Sequence, residues 1–216
     1  MTLKLNGSSS GSVSIDAPAS TTSGADITFK LPVADGTANQ ILSTDGSGNL
    51  SWVDKPANPI SVITTFHQTS NQTGTKNPLT AWAEESGQQS TGKISTGGSV
   101  SHSSGVFTFP VTGIYLIMFQ ASFGLSGDTR WLNNYIVTTN DNGSNWDDAS
   151  HSTQSITQSG GDNTYTQSCI NYSFDVQDVT THKVQFRQVM ANSSTVSEGS
   201  SGQNTTAVTF IRLGDT

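Results

Sequence analysis

Residues 105–119 read Gly-Val-Phe-Thr-Phe-Pro-Val-Thr-Gly-Ile-Tyr-Leu-Ile-Met-Phe, and few folds accept such a run. Phe107, Phe109 and Val111 alternate with small or polar neighbours, which is the period of a half-buried strand. Pro110 lacks a backbone donor and suits an edge or a bend. Gly113 supplies a tight corner. Beyond it Tyr115, Ile117, Phe119, Ala121 and Phe123 fall on one face of a second strand. The opposite face, Ile114, Leu116 and Met118, is apolar as well. A strand apolar on both faces needs cover on both. One face is expected to meet the chain's own core, the other a second layer or a second subunit.

The rest of the chain agrees with an all-β fold. Only 12% of residues are charged and 32% hydrophobic, in a background rich in Gly, Ser, Thr and Asn. No window holds helical periodicity beyond about two turns. The best helical candidate, Thr80–Ser86, is short and uncapped. Ile60–Phe66 reads as an opening strand, and Ser86–Ser104 as a loop with a short strand near Lys93-Ile94. Trp131–Thr139 alternates through Trp131, Tyr135 and Val137. Ile170, Tyr172, Phe174 and Val176 form an apolar face opposite Cys169, Asn171, Ser173 and Asp175. Val184 and Phe186 continue inward while Lys183, Gln185 and Arg187 point out. Ala191–Asn204 is a polar loop, and a last strand closes the chain. Short strands separated by turn signals predict a sandwich.

Residues 1–53 are a distinct piece, with strands expected at Ser12–Asp16, Asp26–Leu31, Gln40–Thr44 and Asn49–Val53. Asp45-Gly46-Ser47-Gly48 is a hairpin signal with glycines where φ must be positive. So few apolar side chains cannot bury a stable core alone, so this piece is expected to pair with copies of itself or with a neighbour. Residues 54–59, Asp-Lys-Pro-Ala-Asn-Pro, form an extended linker, and residues 60–216 form the second domain.

Two resemblances sharpen this reading. Phe107-Thr108-Phe109-Pro110-Val111-Thr112-Gly113-Ile114-Tyr115 resembles the signature strand pair of the C1q/TNF-like jelly-roll family, and Ala207–Gly214 is similar to that family's closing strand. The resemblance covers roughly Ile60 to Thr216 and implies a jelly-roll β-sandwich, trimeric about a threefold axis, that binds rather than catalyses. The blocks Gly11–Ser20, Ile27–Gly36 and Gln40–Trp52 resemble a module of bacteriophage fibre and other virion appendage proteins, familiar from phages of marine bacteria. That resemblance implies a virion structural protein.

The bulk properties exclude several classes. Net charge is -7, the isoelectric point is near 4.7, and there is no Lys/Arg cluster, so a nucleic-acid partner is not expected. No run approaches the ~20 apolar residues of a membrane helix, so no membrane insertion is expected. Met1–Asn6 lacks the apolar core of a signal peptide, so export by the general secretory route is not expected. The single cysteine, Cys169, excludes an internal disulfide and reads as a small residue at the core's edge.

Sites of chemistry are scarce. His67, His102, His151 and His182 have no metal-ligand spacing, and His102 and His151 lie in Ser-rich stretches that read as exposed loops. Asp147-Asp148 and Glu84-Glu85 are adjacent pairs, which in a strand point to opposite faces. No nucleophile elbow occurs. The chain is therefore read as not an enzyme, and no catalytic residue, cofactor or metal ligand is assigned. Asn140–Ser150 reads as a loop, and the overlapping stretch Thr138–Asp148 fails the calcium template, because aligning Gly143 to the invariant glycine puts Thr138 at the first ligand position and Ala149 where a bidentate Glu belongs. Calcium elsewhere in this loop stays open, since the C1q/TNF-like family has calcium-binding members. Trp146, flanked by Asn142, Asn145, Asp147 and Asp148, has the chemistry of a sugar-stacking loop. The competing reading folds Trp146 back over the loop's own base. Trp131 reads as core or subunit interface.

Together these readings give a non-enzymatic homotrimer located in a phage virion. Residues 1–53 would contact other virion proteins, Ile114, Leu116 and Met118 would form the subunit contact, and the head would contact a host-surface glycan or protein. The alternative is a head or collar decoration protein that stabilises the particle without a receptor. A polysaccharide depolymerase is less favoured, because clustered acids are missing.

Overall fold

The computed structural model describes residues 3–6, 10–15, 18–21, 24–55, 60–85 and 93–216. The linker prolines Pro56 and Pro59, Asp16, and residues 86–92 of the expected loop lie outside the described residues. The chain divides into two compact units, Met1–Ala57 and Asn58–Thr216. No α-helix occurs among the described residues, and the fold is all-β.

In the first unit, β1 (Leu3–Asn6) pairs antiparallel with β2 (Ser12–Ile15), and β3 (Gln40–Thr44) with β4 (Leu50–Asp54). Gly46 and Gly48 take positive φ at the second hairpin, as its sequence requires. Asp45 fixes the turn: Oδ1 accepts from the Ser47 amide at 2.8 Å and the Asn49 amide at 3.2 Å, and Oδ2 accepts from Asn49 Nδ2 at 2.6 Å. The strand expected at Asp26–Leu31 does not form. This segment runs beside β4 through one parallel bridge, Lys30 with Asn49. The Lys30 amide donates to the Gly48 carbonyl and the Leu50 amide to the Lys30 carbonyl, both at 2.8 Å. Its alternation of Ile27, Phe29 and Leu31 mimics a strand, but all three side chains are exposed.

The second unit opens with β5 (Ile63–Gln68), β6 (Gln72–Thr73) and β7 (Trp82–Glu84), then β8 (Ser101–Ser103), β9 (Val106–Thr108) and β10 (Gly113–Leu125). It continues through β11 (Thr129–Thr139), β12 (Asp147–Ile156), β13 (Thr164–Val176), β14 (Lys183–Met190), β15 (Val196–Ser197) and β16 (Ala207–Gly214). One sheet runs β7-β5-β16-β10-β13, with β15 and β6 added at the far end of β10. The other runs β12-β11-β14-β9-β8. Every ladder is antiparallel, and neighbours in space are mostly distant in sequence, the connectivity of a jelly roll.

The two sheets meet through aromatic side chains. Phe107 on β9 lies 5.3 Å from Phe210 on β16, and Phe119 on β10 lies 4.6 Å from Phe186 on β14. Phe66 and Trp82 close one end, 5.1 Å and 5.7 Å from Phe107. Tyr115, Ile117, Phe119, Ala121 and Phe123 all point into this core, as their spacing predicts. The corner before β10 is held by the Tyr115 hydroxyl, which donates to the Val111 carbonyl at 2.9 Å. A Cβ on Gly113 would lie 2.4 Å from the Gly214 carbonyl oxygen, so the corner excludes any side chain there.

Several local expectations are corrected. The helical candidate at 80–86 contains β7, because Trp82 is drawn into the core and pairs opposite Gln68. Ile94 makes one bridge to Ile63 rather than a strand. The stretch taken as a loop to Ser150 becomes β12 from Asp147, and the polar loop after Ala191 contains β15. His102 lies in β8, edge-on to Phe66 at 5.4 Å, and His151 lies in β12. Cys169 is exposed on the outward face of β13 rather than tucked at the core's edge.

Candidate functional site

Two regions carry the residues singled out by the sequence. The first is the face of the β10 sheet that points away from the second sheet. Ile114, Leu116 and Met118 lie there, with Ile114 37% and Met118 48% exposed and Leu116 half-buried. Leu116 stands opposite Ile211 of β16, and Met118 stands between Thr209 of β16 and Asn171 of β13. The Thr209 and Thr65 hydroxyls are 2.9 Å apart, tying β16 to β5 on this side. A shallow groove of about 190 Å³ crosses the face, lined by Met118, Gln120, Cys169, Asn171, Asn204 and Thr209 among others. Gln120 Nε2 donates to the Asn204 carbonyl at 2.6 Å and fixes one wall. No layer of the second unit's described residues covers Met118. The face mixes aliphatic side chains with amides and hydroxyls, and carries one carboxylate, Asp175, opposite Ile114 at its edge.

The second region is the loop between β11 and β12. Its centre is Asp141, which sequence reasoning did not single out. Asp141 Oδ1 accepts from the Asn145 amide at 2.9 Å and the Thr139 hydroxyl at 2.7 Å, and Oδ2 accepts from Asn145 Nδ2 at 2.6 Å. These bonds stabilise the carboxylate, first those from Asn145 and then that from Thr139, and hold Asp141 well below its ordinary value of 3.8, at about 2. Asn142 takes positive φ (61°), and its amide donates to the Thr181 carbonyl at 3.0 Å. Trp146 is half-buried, and its ring lies over Gly143, 3.4 Å from where a Cβ would stand. Asn145 and Trp146 are thus engaged within the loop, and Asn142 is exposed. Asp147 is exposed at the start of β12.

Asp148 belongs to a different cluster. It accepts from Arg187 Nη2 at 2.6 Å. The Arg187 guanidinium lies 4.1 Å over the Tyr135 ring, His151 stacks on that ring at 5.3 Å, and the Tyr135 hydroxyl accepts from Asn133 Nδ2 at 3.0 Å. The structure therefore brings Asn145 and Trp146 together on the loop and sends Asp148 to the sheet. The outward period of β14 made Arg187 visible in the sequence, but its partners depend on the register of three strands. Trp131, expected in core or interface, is 39% exposed on the same sheet.

The remaining candidates stand apart. His67 Nδ1 lies 2.7 Å from Glu85 Oε1, both largely buried. Glu84 pairs with Lys93. His182 Nδ1 is 3.1 Å from the Thr181 hydroxyl. Among the described residues, no group of three or more His, Cys, Asp or Glu is placed to hold a metal ion.

No protein-family model matches the sequence, and no curated protein matches it. Solved structures do. The chain is similar to the Eiger TNF from S. frugiperda, at 13% identity and a TM-score of 0.55, over 74% of this chain and 96% of that one. It is similar to murine APRIL at pH 5.0, at 12% identity and a TM-score of 0.50, over 70% of this chain and 98% of that one. At these identities the likeness is one of fold. The second unit is a TNF-like jelly roll.

Proposed function

We propose that this chain is a non-enzymatic structural protein of a phage virion, a homotrimeric fibre or appendage whose head contacts the host surface. The observation that carries the trimer is the outward face of β10, where Ile114, Leu116 and Met118 form an apolar row that the second unit's described residues cover only in part. Burying such side chains in a subunit contact is worth about 1.5–3 kcal/mol for each one fully covered. The virion setting is supported by the resemblance of residues 11–52 to phage appendage modules, and these residues would also engage other virion proteins. Three heads on one axis present three identical sites, so avidity for a repetitive host glycan or protein replaces single-site affinity.

A second reading has its own support. Trp146 lies over Gly143, and Asn145 is consumed by Asp141, so the loop offers fewer free groups than its sequence suggests. That favours a head or collar decoration protein that stabilises the particle without binding a receptor.

Light scattering on the full chain tests the assembly: a mass about three times 22.7 kDa is expected, and a monomeric mass overturns it. Binding to a panel of bacterial surface polysaccharides tests the head. Binding lost in Trp146→Ala supports host contact, whereas an intact trimer that binds none of them moves the reading to decoration.

A further inference from the structure

The first unit has a specified backbone and, among its described residues, no buried core. Its turn is fixed by the three bonds to Asp45. Trp52 is seated by a second device: Nε1 donates to the Ala34 carbonyl at 3.1 Å, and its ring packs so closely on Gly36 that a Cβ there would lie 2.6 Å away. A Cβ on Gly48 would meet the Thr28 carbonyl at 2.4 Å, so the extended segment is held to the hairpin at close range. Yet among residues 10–55 whose burial is described, none is buried. Leu31 is 70% exposed and Val33 fully so.

The exposed apolar side chains lie on both faces of the hairpin. Ile41 stands opposite Val53 on one face, and Leu42 stands opposite Trp52 on the other. All four are exposed. A sheet laid on a single partner hides one face and leaves the other wet. A hairpin with two apolar faces fits between two neighbours, which is the place of every subunit in a closed ring.

We infer that residues 1–57 form a shared body in which copies of this segment build one core, each hairpin seated between the hairpins of two other copies. This rests on the trimer reading of the head, which would tether three copies at an effective concentration in the millimolar range. The nine large apolar side chains exposed among the unit's described residues leave on the order of 900 Å² to be covered, about 450 Å² toward each of two neighbours, so only the two contacts counted together reach the ~800 Å² per partner of a stable interface. A groove of about 450 Å³ along Leu31, Pro32, Val33, Leu50 and Trp52 offers a seat for a neighbour's side chain. Charge does not oppose the packing, since the segment carries three lysines against five aspartates and no other charged side chain. Other occupants, such as a different virion protein, are outcomes of the test.

The experiment uses the full chain with Cys169→Ser and Ser47→Cys, placing one spin label at the exposed hairpin tip. With one label per chain, every dipolar distance is between copies. Pulsed electron resonance is expected to give one narrow distance. Leu42→Lys and Val53→Lys, one on each face, are each expected to broaden it with no change of mass by light scattering, while Leu42→Met keeps it narrow. A trimeric mass with a broad, featureless distribution overturns this inference alone and points to a different partner. A narrow distance indifferent to both lysines also overturns it. A monomeric mass without a dipolar signal overturns the trimer reading together with it.

Discussion

Met118→Lys is the sharpest test of the open face on β10. Fully burying a methionine side chain contributes about 1.5–3 kcal/mol. Met118 is 48% exposed, so closing a subunit contact over it gains about 1 kcal/mol per copy and about 3 kcal/mol per trimer. Since 1.4 kcal/mol is tenfold, losing this contribution alone weakens assembly more than 100-fold. The lysine adds a charge to the closed face, and its register neighbours Asn171 and Thr209 carry no carboxylate to pair with it. Light scattering over a dilution series should show the variant as monomer where the parent is trimer. Cys169 gives a second readout, because it lines the same groove and is exposed in the single chain. A thiol reagent should label it slowly in the trimer and rapidly in Met118→Lys. Met118→Leu, nearly conserving volume, should behave as the parent. If Met118→Lys keeps both the parental mass and the parental labelling rate, this face is not the subunit contact.

Three further outcomes follow from the second unit. Phe107→Ala removes the ring that meets Phe66, Trp82, Phe186 and Phe210, and should cost about 3–5 kcal/mol in denaturant unfolding, read as a lower midpoint at unchanged slope. Gly105→Ala places a Cβ 2.2 Å from the Leu79 carbonyl oxygen at a φ of +84°, and should destabilise by about 1–3 kcal/mol, measured the same way. Asp141 has its pKa lowered in the fold, so its contribution to loop order is complete above about pH 4 and lost as pH falls through about 2. The Asn145 amide resonance should titrate near 2 in the parent, and Asp141→Ala should remove that titration and loosen the loop at neutral pH.

The legible parts of this fold are those where burial writes a period into the sequence. β10 and β13 alternate over most of their length because each has one face in the aromatic core, and their inward residues could be named in advance; on β14 Val184 and Phe186 turn inward as expected, but Gln185, expected to point out, is buried against Asn77. β12 was read partly as loop for the converse reason. Its residues Asp147–Ile156 are mostly Ser, Thr, Gln and His, and only Ile156 is buried. Its inward contact is polar: the Ser168 hydroxyl lies 2.8 Å from the Ser152 hydroxyl and 2.7 Å from Asn134 Oδ1. An edge strand packed through hydroxyls leaves no hydrophobic period to detect. Asp26–Leu31 fails the other way, since its period is clean but no strand pairs with it beyond one bridge.

The same limit explains the candidate sites. Composition placed Trp146 among oxygen-bearing side chains, but only backbone geometry turns Asp141 inward to hold Asn145 and lays Trp146 on Gly143. Period alone showed that β10 is apolar on both faces. It could not show that one face meets Phe186 of the second sheet while the second unit's described residues leave the other partly exposed. A period of two reports that a side chain is buried somewhere, not by which chain. For residues such as Met118, Leu42 and Val53, the burial implied by their pattern exceeds what one copy supplies. The shortfall falls in both units of the chain, in the head on one sheet face and in the first unit on both faces of a hairpin. One symmetric assembly would remove both shortfalls at once, since a second or third copy brings the missing surface in equal number.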